Sequence, residues 1–300
     1  MARSTRIALV TCREVLESGK DVDLPVLAGA VEEAGAAEAA VVCWDDPDLE
    51  WGDFDLAVIR STWDYTWRAP EFVAWAERCG AATTLANPVD VVRWNADKRY
   101  LGDLSAAGVP VVDTRFLAPG DPVDLPEEQE YVIKPTSGAG ARYAARYSPG
   151  ERETAVRHLA RMHAEGLTAI VQPYVRSIDT AGERALQFFG GRFLHAIRKG
   201  AVLAPGTAYD EAKVPHPNLR PWEPIPAELA VAERALAAVP GDGDTELLYA
   251  RVDLVDGDDG EPRVMELELI EPNLFLSLHT DSVPVVAEAI VKVAQQRPAR

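Results

Sequence analysis

In the first 88 residues, short wholly apolar runs alternate with segments of helical period, and few folds can accommodate that alternation. Ile7-Ala8-Leu9-Val10, residues 39–42 and residues 56–59 are too short for buried helices and carry no polar face. A strand apolar on both sides must be covered on both sides, which points to parallel strands flanked by helices. Between them, 24–34 repeats apolar residues at helical spacing and stops at Gly35, and 70–79 starts at Pro70 and stops at Gly80. The β-α-β-loop-β-α order predicts a small doubly wound α/β domain that ends near Asn87-Pro88.

The pattern then changes. Residues 91–107 read as one helix carrying Lys98, followed by a strand at 111–116 and an acidic Pro-rich loop, PGDPVDLPEEQ. YVIKP, 131–135, is a strand running into a Gly-rich turn; 153–165 is a helix and 168–171 a strand. Runs at 184–189 and 192–198 flank Gly190-Gly191 as a hairpin. Residues 199–213 form a loop, 227–238 a helix, 247–254 and 263–270 strands, and 283–295 a closing helix. The whole is an α/β (α+β) chain.

The formal net charge of −18 disfavours a nucleic-acid partner, because such a surface repels phosphate backbones. Cys12, Cys43 and Cys79 have no paired spacing and are expected to be reduced and structural. No apolar run approaches the roughly 18 residues of a membrane span, and MARSTRIALVTC lacks a signal-peptide pattern, so a cytoplasmic location is expected.

Two clusters carry chemistry. Lys134 ends an apolar strand beside the small-residue turn Ser137-Gly138-Ala139-Gly140-Ala141, whose backbone N–H groups can approach phosphates. Glu266 and Glu268 share one face of a strand by the period-two rule, and Asp253 on the neighbouring strand can join them. Three hard carboxylates suit Mg²⁺. Between the clusters, Gln172-Pro173-Tyr174-Val175 ends an apolar strand where backbone groups are left for a flat heterocycle, or is simply a strand end.

These parts in this order resemble the ATP-grasp superfamily, across nearly the whole chain. The resemblance implies an N-terminal domain (1–88), a small lid subdomain with its leading helix (89–175) and a large subdomain with the metal site (176–300). It implies ATP and Mg²⁺ as cofactors. Lys98 in WNADKRYL, Lys134 in YVIKP, Ser137, Gly138, Gly140, Gln172, Tyr174, Val175, Asp179 and Glu183 would contact the nucleotide. Asp253, Glu266 and Glu268 would hold metal, with Glu268 and Glu271 as an alternative pair. Arg198, with Lys199 beside it, would hold an acyl phosphate, and Arg184 and Arg251 would meet substrate. LAVIRSTWDYTWRAPEFVAW, NADKRYL and ELELIEPNLF are similar to the superfamily's O-ureido-D-serine cyclo-ligases of D-cycloserine biosynthesis.

The implied reaction activates a carboxylate as an acyl phosphate, which an internal nitrogen attacks. An intermolecular amine ligase and a nucleotide-binding regulator without turnover are the alternatives. The partner is a small amino-acid-like substrate, and a homodimer is left open. Arg60-Ser61-Thr62-Trp63-Asp64-Tyr65 follows a strand of the first domain. There Arg60, Ser61, Thr62 and Asp64 either help form the substrate site or belong to a structural turn with Trp63 and Tyr65 in the core. Residues 199–213 would be a lid. His158, His163 and His216 read as surface residues, His195 as a hairpin residue, and His279 as a marginal substrate contact.

Overall fold

The computed structural model describes residues 5–36, 38–138, 140–209, 216–241 and 247–296. Its N-terminal part is β1 (Arg6–Thr11), α1 (Arg13–Ser18), α2 (Asp23–Glu33), β2 (Glu38–Cys43), β3 (Leu56–Ser61), α3 (Ala69–Ala82) and β4 (Thr84–Ala86). The strands pair in parallel in the order β2-β1-β3-β4. Alternate residues of β1 enter two cores: Ile7 and Leu9 pack with α2 and the C-terminal helix, Ala8 and Val10 with Phe72 and Trp75 of α3. Both faces are therefore covered, as wholly apolar strands require.

Two short helices follow, α4 (Val89–Asn95) and α5 (Tyr100–Ala106). The expected single helix over 91–107 is broken at 96–99, and Lys98 sits in the break, where its backbone N–H donates to Thr136 O at 2.8 Å. The expected strand at 111–116 shrinks to β5 (Arg115–Leu117), with Val111 making only an isolated bridge to Val264.

β5, β6 (Tyr131–Pro135), β7 (Ala145–Tyr147), α6 (Arg152–Ala164) and β8 (Ala169–Pro173) make a second unit, an antiparallel sheet ordered β5-β8-β6-β7 and backed by α6. After α7 (Ile178–Ala181), the strands β9 (Glu183–Phe189), β10 (Arg192–Lys199), β11 (Arg220–Trp222), β12 (Tyr249–Asp256) and β13 (Pro262–Glu268) form a third sheet. Its order is β11-β10-β9-β12-β13, all antiparallel, with α8 (Pro226–Ala237) on one face.

Packing does not follow chain order everywhere. Val91, Tyr100, Leu101 and Leu104 of α4 and α5 join the core between the third sheet and α8, although these residues lead into the second sheet. The last helix, α9 (Ser282–Gln295), returns to the N-terminal part and packs on α2. All three cysteines are free and buried. Among the described residues no helix is long and apolar enough to cross a membrane.

Candidate active site

A cavity of about 530 Å³ lies between the second and third sheets and reaches the N-terminal part, a size that suits a small ligand. Its roof carries Lys134 from β6 and Gly138 and Gly140 from the turn beyond. Lys98 enters from the α4–α5 break, and Gln172, Tyr174 and Val175 line the hinge. Its floor carries Glu183, Lys199, Arg251, Asp253, Glu266 and Glu268.

Strand register explains the floor. Asp253 on β12 pairs directly with Glu266 on β13, and Arg251 with Glu268, so all four side chains share a face. Glu183 and Lys199 oppose each other on β9 and β10. A bulge falls between Asp253 and Leu254, where Met265 is the extra residue; its sulfur turns into the cavity, 3.8 Å from Lys134 Nζ.

The WNADKRYL string sets this strand in place. Asn95 donates to Leu267 O and accepts from Leu269 N, both at 2.8 Å, and the Tyr100 hydroxyl accepts from Leu267 N at 3.0 Å. Asp97 accepts from Thr136 Oγ1 at 3.0 Å, tying the Lys98 turn to the base of the Gly-rich turn. Close approach also fixes Gly182: its φ is +72°, and a Cβ there would lie 2.3 Å from Lys199 O.

The floor is an ionic lattice. Lys199 Nζ lies 2.6 Å from Asp253 Oδ2 and 2.9 Å from Glu183 Oε2. Arg251 Nε and Nη2 donate to the two Asp253 oxygens at 2.8 and 2.9 Å, and Nη2 also pairs with Glu268. Lys98 reaches Glu266 at 3.2 Å and donates to Gly138 O. Burial works to raise the Asp253 pKa, but Arg251 and Lys199 outweigh it and hold the carboxyl well below the usual range. Burial likewise opposes ionisation of Glu183, and Lys199 outweighs it. Burial lowers the pKa of Lys134, against Glu266, which raises it.

Glu268 behaves differently. Burial pushes its carboxyl up to about 7, with Glu266 and Asp253 adding to the rise against Arg251. Among the described residues no three acidic, His or Cys side chains already stand as a metal cluster, because Lys98, Lys199 and Arg251 are interleaved with the acids. The donor set nevertheless fits Mg²⁺ in type: three carboxylates share one face of the sheet. Glu271 also lines the cavity, beyond the end of β13.

Several expected residues lie elsewhere. Arg184 and Arg198 alternate with Glu183 and Lys199 and so point to the opposite face of the sheet. There Arg184 is buried against Glu228 and Asp256, and Arg198 donates to the carbonyls of Ala181 and Thr180. Asp179 is held outside the cavity by Arg146 and by the Tyr174 hydroxyl. Ser137 Oγ donates to Thr66 O at 3.2 Å and is not part of the lining.

Arg60, Ser61, Thr62 and Asp64 lie behind the wall. Arg60 donates to Pro272 O at 3.2 Å, Ser61 Oγ meets Thr11 Oγ1 at 2.9 Å, Thr62 is buried, and Asp64 accepts from Trp44 Nε1 at 2.9 Å. The N-terminal part reaches the cavity through Glu14, Val15 and Lys20 around α1, and Trp63 and Trp67 of a 3₁₀ turn, Trp63–Trp67.

Of the histidines, His195 lies in the β9–β10 hairpin as expected, and the others differ from expectation. His216 lines the cavity, with Nδ1 3.2 Å from Gly200 O, and burial lowers its pKa. His158 is buried in the second unit, and His163 is part-buried with Nε2 3.0 Å from Leu117 O. His279 stacks on His195 at 4.2 Å, outside the lining. Of the expected lid at 199–213, residues 210–213 lie outside the described residues, while Val202 and Leu203 line the cavity.

Two subdomains closing on one cavity, with lysines above and carboxylates below, define an ATP-grasp ligase fold. The solved ATP-grasp ligase PsnB, complexed with a minimal precursor, Mg and ADP, superposes with a TM-score of 0.62 at 17% identity, over 97% of this chain and 98% of that one. The family model described as the N-terminal domain of D-cycloserine synthetase DcsG matches residues 7–87. The cycloserine biosynthesis protein DcsG of Streptomyces lavendulae is 41% identical over 299 residues, covering 95% of this chain and 98% of that one. A crystal structure of D-cycloserine synthetase DcsG has a TM-score of 0.87 and 39% identity, covering 96% and 99%. The chain belongs to the D-cycloserine synthetase DcsG family.

Proposed function

We propose that the protein is an ATP-dependent cyclo-ligase that converts O-ureido-D-serine to D-cycloserine. The observation that carries this reading is the cavity in which Lys98 and Lys134 face Asp253, Glu266 and Glu268, in a chain of this family. The substrate carboxylate takes the γ-phosphoryl group of ATP. The oxygen-bound ureido nitrogen then attacks the acyl carbon, forming the ring C–N bond and releasing phosphate. The carbamoyl group leaves with one water as carbon dioxide and ammonia, and ADP is the other product.

The chain's work is mainly positioning and charge placement. Lys134, at the roof, meets phosphate oxygens as a compact cation. Lys98 is close enough to Glu266 to exchange that partner for a phosphate. Arg251 and Lys199, fixed by Asp253, face the transferring group and stabilise charge where it develops. Gln172, Tyr174 and Val175 would border the base. Asp253, Glu266 and Glu268 would hold Mg²⁺, which when bound supplies neutralisation of phosphate charge. Trp63 and Phe275 give the substrate end apolar walls that limit water.

The test is incubation of the purified protein with O-ureido-D-serine, ATP and Mg²⁺. Equal amounts of ADP and D-cycloserine are expected. Absence of both sinks the reading, and ADP formed only when a second amino acid is supplied favours an intermolecular ligase.

A further inference from the structure

Five side chains from different parts of the fold form one continuous stack that runs from the cavity lining, at Trp67 and Arg142, into the core of the second unit. The Arg142 guanidinium lies 4.6 Å from the Trp67 ring and 4.6 Å from the Tyr143 ring. Tyr143 meets Tyr209 at 5.1 Å, and Tyr209 stacks on His158 at 4.2 Å and 13°. Trp67 belongs to the N-terminal part, Arg142 and Tyr143 to the Gly-rich turn, Tyr209 to the segment after β10, and His158 to α6. All three parts of the molecule thus meet on this turn.

The turn does not hold its shape by local preference. Ala141 and Tyr143 have φ of +58° and +56°, which L side chains rarely adopt. Such a conformation persists when surrounding contacts over-determine it. Here contacts from outside the turn do so: Trp67 at Arg142, Tyr209 and the Glu165 carboxylate at Tyr143, and Thr66 O at Ser137. Trp67, Gly138, Gly140 and Arg142 line the same cavity as Lys134, so the stack borders it.

We propose that Trp67 and Tyr209 are positioning residues that clamp the Gly-rich turn from two sides, so that the acyl phosphate is captured by the internal nitrogen rather than by water. This rests on the cyclo-ligase reading. Neither residue is asked to touch the reacting atoms; both act through the turn. With the nucleophile already part of the substrate, water is the competitor that the enzyme has to exclude.

The experiment measures ADP formed per ring closed, with melting temperature as a folding check, for Trp67→Ala, Tyr209→Ala, the pair, and the aromatic replacements Trp67→Phe and Tyr209→Phe. The wild type is expected to give one ADP per ring. Each alanine variant should raise that ratio by roughly threefold to tenfold, the ordinary worth of a cation–π or ring contact. The pair should raise it further, and the phenylalanine variants should restore it. An unchanged ratio, or ADP and ring product falling in equal measure, overturns the clamp. Leucine replaces alanine if an alanine variant fails to fold.

Hydrogen exchange over 137–143 with a non-hydrolysable ATP analogue separates this inference from the function on which it rests. Protection in the wild type that weakens in the alanine variants supports the clamp whatever the substrate. Equal protection in all variants overturns it. A wild type that protects the turn yet closes no ring would instead refute the cyclo-ligase reading.

Discussion

The five-stranded sheet carries a buried charge cluster on each face, and the same strands supply both. On the α8 face, Arg184 is 2% exposed and donates to Glu228 at 2.7 Å and to Asp256 at 3.0 Å. Glu228 is closed off further by Trp222 Nε1 and Ile225 N, at 3.0 and 2.9 Å, so it also caps α8. On the cavity face, Lys199 and Arg251 saturate Asp253, while burial pushes the Glu268 carboxyl up to about 7. One cluster sets a single arginine between two carboxylates and is covered by a helix. The other interleaves Lys98, Lys199 and Arg251 with its acids and opens onto a cavity. The difference separates a structural network from one ready to take up a cation and phosphate.

The largest effect is expected at Arg184. Arg184→Met strands Glu228 and Asp256, and the expected cost is about 3–5 kcal/mol of stability. Chemical denaturation measures it, and turnover per folded molecule should change little. A large loss of turnover in protein that melts normally would put Arg184 back at the site.

Asp253→Asn should do the reverse. Removing the charge that orients Lys199 and Arg251 is expected to lower kcat by roughly 10²–10³-fold, as for other preorganised electrostatic groups. Steady-state ADP release and calorimetry together decide it. A loss no larger than the drop in folded fraction would make both faces structural.

Glu268 sharpens the contrast through pH. Its folded pKa, about 7, lies above the ordinary 4.5. The folded state therefore binds this proton more tightly than the unfolded chain, so the group's contribution is fully present below about 4.5 and is lost as pH rises through 7. In metal-free protein, stability should fall from this cause across that window. Glu268→Gln should flatten the slope, and Mg²⁺ with nucleotide should reduce it. Melting curves at a series of pH values show whether it does.

The smallest effect is expected at Arg198, which braces the carbonyls of Ala181 and Thr180 from the α8 face. Arg198→Ala should cost about 0.5–1.5 kcal/mol and leave kcat/KM within about twofold. A tenfold loss in kcat/KM would mean that the guanidinium reaches the cavity during turnover.

Much of this was legible in the sequence. Period-two spacing placed Glu266 and Glu268 on one face, and the apolar run before Lys134 marked its strand, because side-chain alternation is a local property. The same rule, applied to Arg184 and Arg198, would have separated them from Glu183 and Lys199. The broken helix at Lys98 was not legible, since 91–107 has a continuous helical pattern and the break is imposed by hydrogen bonding to Thr136. Nor was Met265, which a one-residue bulge re-aims.

Residue type and short spacing are enough to carry the alternation of strands and helices, the two lysines, the acidic strand and the family resemblance. Long-range packing sets which wall Trp63 and Trp67 form, with Arg60, Ser61, Thr62 and Asp64 behind it. It also brought Trp67, Arg142, Tyr143, Tyr209 and His158 into one stack. These contacts join residues far apart in the chain, and no local periodicity encodes them. They follow from how three sheets, each with its own buried face, pack around one cavity.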